Sequence, residues 1–130
     1  MFLNVLDIDE RSAFAELAEK MIQADGIEIG RETAALAALK SEMGIAGAVG
    51  ADRSIGELAA IFGSKRSKMV ALLELIGLGY SDTSFHITEE SLVTTVSQEM
   101  GITGEEVAQV KGWVKDHVDL VRRALVLMRD

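Results

Sequence analysis

Residues 103–128 read TGEEVAQVKGWVKDHVDLVRRALVLM, and this stretch decides the fold class. Thr103 with Glu106 three residues on is a capping box, in which each side chain satisfies a backbone N–H that the first helical turn leaves unpaired. Beyond it Val107, Val110, Val114, Val118, Val121, Leu125 and Met128 recur three or four residues apart. That period places one apolar stripe along an α-helix. The spacing predicts a long last helix that packs across the others.

The same signals recur towards the N-terminus. Asp7 with Glu10 opens a first helix whose stripe is Phe14, Leu17, Ala18, Met21 and Ile22, ending near Ala24. A second helix starts around Gly30, turns Ala35, Leu36, Leu39 and Met43 inward and stops at Gly44, a residue suited to a left-handed C-cap. Gly44, Gly47 and Gly50 make a spacer without the Gly-Lys-Ser/Thr ending of a phosphate-cradling loop. Ser54 with Glu57 opens a short helix through Phe62. Ser64 caps another over residues 65–78, carrying Met69, Leu72, Leu73, Leu75 and Ile76. Thr88 caps a helix holding Leu92, Val93, Val96 and Met100, which stops at Gly101. Proline is absent and β-branched runs are short, so propensity agrees with periodicity. The expectation is an all-α single domain over residues 1–130, an orthogonal bundle of six or seven helices.

Composition narrows the function classes. A chain of 130 residues supports one core without staples. The absence of cysteine excludes disulfides, a thiolate metal site and a cysteine nucleophile. The net charge of −8 speaks against nonspecific nucleic-acid binding, which draws on cationic side chains. No uncharged run is long enough for a transmembrane span, and Asp7, Asp9 and Glu10 stand where a signal peptide needs bases and apolar residues. A cytoplasmic protein is expected. Residues 1–32 hold eight acids against three bases, and residues 80–106 hold six acids and no base. The sign reverses at Lys65, Arg66 and Lys68 and again at Lys111, Lys115, Arg122, Arg123 and Arg129. This alternation suggests a bipolar surface, beside the plainer reading of an ordinary solvated one.

A shift of 57 residues superposes Asp25 on Asp82, Glu32 on Glu89, and Glu42-Met43-Gly44-Ile45 on Glu99-Met100-Gly101-Ile102. Leu36 falls on Val93, Leu39 on Val96, Ala18 on Leu75 and Met21 on Leu78. Two similar helix-loop-helix units are the simplest account, with both acidic loops at one end of the bundle. Each loop repeats the second half of a calcium-binding EF-hand loop, an acid before the turn and a Glu closing it seven residues later. The first half is missing, because Met21 and Gln23, or Leu78 and Tyr80, stand where oxygen ligands are needed. Asp25, Glu32, Asp82 and Glu89 converging on one divalent cation, Ca2+, Mg2+ or Mn2+, is chemically sound. So is a purely structural role, Asp25 in an Asx turn and Glu32 or Glu89 favoured by a helix dipole.

Several of these runs resemble TerB-like proteins of tellurite resistance: Met1-Phe2-Leu3-Asn4-Val5-Leu6, Glu10-Arg11-Ser12-Ala13-Phe14, and Ala24-Asp25-Gly26 with Glu32. Glu74-Leu75-Ile76-Gly77-Leu78, Ser81-Asp82 with Phe85-His86 and Glu89, and the second Glu-Met-Gly-Ile run look like that family's second unit. The resemblance covers nearly the whole chain. It implies an all-α domain, found alone in tellurite-resistance and stress-response systems or fused to membrane-anchored DnaJ-like co-chaperones, with cation-chelating acidic loops and no catalytic activity. The sequence departs from the family at Thr83, where glycine is usual, and at Glu28 and Ile29.

Two readings follow: a cation-responsive module that docks a protein partner, or a metal-independent interaction scaffold. A di-metal enzyme is disfavoured, because such bundles carry Glu-x-x-His motifs and this chain has none. His86 is a candidate further ligand against a solvated or capping role, and His117 reads as a structural residue at the core edge. Trp113 reads as a core anchor, with an interface role as the alternative. Arg122, Arg123 and Arg129 read as a charged helix end favoured by the dipole, or as a contact for an acidic partner or the inner face of a membrane.

Overall fold

The computed structural model describes residues 2–23, 37–38, 40–41, 44, 53–79 and 87–129. A 3-10 turn, Leu3–Val5, precedes five α-helices whose bounds fall among the described residues: α1 (Ile8–Gln23), α2 (Ile55–Ile61), α3 (Lys65–Gly79), α4 (Ile87–Met100) and α5 (Gly104–Leu127). No strand occurs among the described residues, so the all-α expectation holds there. Six or seven helices were expected; the one starting around Gly30 falls mostly outside the described residues, where Ala37, Ala38, Lys40 and Ser41 are helical.

The boundaries follow the caps. Asp7 Oδ1 accepts from Glu10 N–H at 2.8 Å while Asp7 N–H donates to Glu10 Oε1 at 3.0 Å, completing the expected box. Ser54 with Glu57, and Thr103 with Glu106, form the same reciprocal pair, and Ser64 Oγ accepts from Ser67 N–H at 3.1 Å. Thr88 differs: α4 already begins at Ile87, so Thr88 lies inside the first turn and is not its cap. Gly44 and Gly101 sit at φ of 74° and 72°, and each donates its N–H three residues back, to Ser41 and Gln98, at 3.1 Å. Glycine takes this left-handed geometry without the Cβ clash that other residues meet.

α3 is the hub. It packs against the 3-10 turn, α1, α4 and α5, while α1 also touches α2 and α4, and α2 lies on α4. Ala71, Leu72, Leu75 and Ile76 are fully buried with Phe14, Leu17 and Met21 of α1, Leu58 of α2, and Val93 and Val96 of α4. Burial of this one contiguous apolar cluster is the main favourable term in folding.

α5 departs from the expected packing. Val107, Val110 and Val114 are buried, and Val118 packs partly against the same core. The stripe then leaves the bundle: Val121 is 44% exposed, Leu125 60% and Met128 71%. At a rise of about 1.5 Å per residue, the 24 residues of α5 run about 36 Å, against about 22 Å for the 15 residues of α3 on which it packs. Trp113 is likewise no core anchor, being 42% exposed. Its ring stacks on His117, centroids 5.2 Å apart and 5° from parallel, and tilts against Phe2 at 6.0 Å. His117 is half-buried, as expected of the core edge.

Candidate functional site

Asp25, Glu32 and Asp82 lie outside the described residues, as does His86. Glu89 falls in the first turn of α4 by its backbone, and its side chain lies outside the described set. Among the described residues no three His, Asp or Glu side chains gather in a way that could hold a metal ion.

Among the described residues, the buried carboxylates are committed to holding the fold together. Glu16 of α1, 3% exposed, accepts from Arg53 through the backbone N–H at 3.3 Å, Nε at 2.8 Å and Nη2, which fixes the chain just before α2. Glu74 of α3 accepts Phe2 N–H at 2.8 Å and so anchors the N-terminal turn. Glu10 closes its own cap and reaches Gly63 N–H at 3.1 Å, tying α1 to the connection between α2 and α3. Burial pushes the Glu10 carboxyl up, but the hydrogen bonds from Asp7 N–H, the Ser67 hydroxyl and Gly63 N–H outweigh it and hold the group below its ordinary value. An open depression beside α1 is lined by Leu6, Asp7, Ile8, Asp9 and Arg11. There Asp7 is occupied as a cap and Arg11 Nε donates to Leu6 O at 3.0 Å.

The charged segments that alternate along the sequence meet in space. Lys65 pairs with Glu106 at 2.5 Å and Lys111 with Glu90 at 2.8 Å, joining the basic runs to the acidic one. Hydrogen bonding from Lys65, followed by the Thr103 N–H, holds the Glu106 carboxyl below its ordinary value. The bipolar pattern is in this way partly neutralised along the α3–α5 and α4–α5 sides.

What remains is the second half of α5. On a helix turning about 100° per residue, Val121, Leu125 and Met128 continue the buried stripe, and Leu120 and Leu127 widen it on the side of Trp113. Leu120 is 58% and Leu127 86% exposed. Lys115 and Arg122 stand seven residues apart along the opposite edge, with Arg129 just past the helix end. Contiguous exposed apolar surface bordered by charge is characteristic of interaction sites. The stripe itself was legible in the sequence, but its exposure was not, because periodicity gives a face and not the length of what covers it. No described helix is long and apolar enough to cross a membrane.

Compared with known proteins, the chain matches no family model, no curated protein and no solved structure.

Proposed function

We propose that this chain is a non-catalytic helical interaction module of the TerB-like type, which docks a protein partner on the second half of α5. The single observation that carries this reading is the run of Val121, Leu125 and Met128, exposed on a stripe whose earlier residues are core. The structural employment of Glu10, Glu16 and Glu74 supports a non-enzymatic role, since these buried carboxylates are bound to backbone N–H groups or to arginine. The two-unit origin of the bundle is supported by the matched glycine caps at Gly44 and Gly101 and by α1 and α3 starting 57 residues apart, at Ile8 and Lys65. A cation held by Asp25, Glu32, Asp82 and Glu89, and a part in a cytoplasmic stress or tellurite response, belong to the proposal on sequence grounds alone.

The docking role is tested by placing a photo-crosslinking amino acid at Leu125 and, separately, at Asp119 on the far side of α5, in living cells. A discrete protein adduct is expected from Leu125 and not from Asp119. No adduct from Leu125, or equal adducts from both, contradicts the reading.

A further inference from the structure

Resting on that interaction reading, we propose that the exposed half of α5 receives an amphipathic helix of a partner protein whose apolar stripe is bordered by Asp and Glu at seven-residue spacing.

The occupant is helical because of what covers the stripe one turn earlier. Val107, Val110 and Val114 are buried where α5 packs on α3, helix on helix. Val114, Val118, Val121, Leu125 and Met128 then step by four, three, four and three, the spacing that lets one helix seat its side chains between those of another. The stripe that is buried in its first half, where α5 packs on α3, continues into its exposed half without a change of period.

The occupant is acidic because of the edges. Lys115 and Arg122, the latter also within 3.7 Å of Asp119, line one side of the stripe at positions that face a partner helix's flanking residues, and Arg129 follows just past the helix end. A second copy of this chain does not complement them. Two such faces packed antiparallel set the basic edge against itself, and packed parallel they set it against His117 and Ala124, which carry no acid. A membrane is also a poor match. Interfacial helices that bind anionic lipid carry bases around the polar face, whereas here Asp116 and Asp119 share that face. Residues 113–129 hold four bases and two acids, a surplus of two, so with −8 overall the remaining residues sum to −10 and are repelled by anionic headgroups. An acidic helix meets both the period and the charge, and it discriminates among helices by repelling basic ones.

The probe is a synthetic peptide of four heptads with Leu at the seam and Glu at both flanking positions, titrated calorimetrically into the full chain. A second peptide keeps the Leu seam and carries Lys at the flanks. Binding of the Glu peptide is expected at roughly micromolar Kd, about tenfold or more tighter than the Lys peptide, and weaker at high salt. V121Q/L125Q should abolish it. R122E/R129E, with unchanged circular dichroism, should reverse the preference between the two peptides. Equal binding of both peptides, or binding of neither, overturns the proposal. So does reversible dimerisation in sedimentation that L125Q removes, which would assign the face to a second copy. Capture by phosphatidylserine vesicles that V121Q/L125Q removes would assign it to lipid and overturn it equally. If crosslinking at Leu125 succeeds in cells while the peptides fail, the interaction reading survives and the acidic helix does not.

Discussion

Replacing Glu10 with Gln removes one negative charge and changes few atoms, yet it should be among the more damaging single substitutions in the chain. The carboxylate uses its two oxygens on two different backbone donors, Oε1 on Asp7 N–H at 3.0 Å and Oε2 on Gly63 N–H at 3.1 Å. A glutamine amide offers one oxygen and one NH2 group, so in either rotamer one of those N–H groups faces another donor. Glu10 is only 6% exposed, and water reaches the site poorly. An unsatisfied buried donor costs about 1–3 kcal/mol, and the lost charge assistance on the other bond adds roughly 1 kcal/mol, for a total of about 2–4 kcal/mol. The pH dependence has a definite sign. The folded carboxyl titrates below the ordinary glutamate value, so its contribution is complete above that ordinary value and is lost as pH falls through the folded one. Urea denaturation of both proteins at neutral pH and near pH 3 should show a wide gap in stability that narrows in acid. A loss under about 0.5 kcal/mol at neutral pH, or a gap of the same size at both, would refute this account of Glu10.

Arg53→Met should destabilise by about 3 kcal/mol or more, because it strands Glu16 as a buried charge. Adding Glu16→Met should recover much of that loss, and a double-mutant cycle by urea denaturation measures the coupling. Gly101→Ala should cost about 1 kcal/mol from backbone strain alone, since a Cβ there meets no atom within 4 Å. Thermal melts of that variant should therefore shift without a change in helical content.

Most of the fold was legible because the caps are local. Asp7 with Glu10, Ser54 with Glu57, Ser64 and Thr103 with Glu106 sit within three residues of the backbone groups they satisfy, so α1, α2, α3 and α5 begin where their side chains say. Thr88 misled because a threonine after Ile87 resembles a cap whether or not the turn has already begun. The tertiary uses of charge were not legible. Nothing in the sequence distinguishes Glu16, which folds onto Arg53 across 37 positions, from an ordinary exposed helical glutamate. Trp113 was misplaced for a related reason: aromatic size favours burial, but its helix position falls beside Phe2 and His117 at the edge of the bundle. For the candidate ligands Asp25, Glu32, Asp82 and Glu89 the sequence offers their spacing and the TerB-like resemblance, and these residues or their side chains lie outside the described set.

The central claim is that the second half of the α5 stripe is surplus to folding and present for docking, and the stability of V121Q/L125Q/M128Q tests it most directly. The three residues are 44%, 60% and 71% exposed, and glutamine is at least as good a helix former as valine. Urea denaturation should place the triple variant within about 1 kcal/mol of the parent chain, as for other exposed surface positions. A loss of several kcal/mol, the size that follows truncation of buried side chains, would make these residues part of the core and contradict the account.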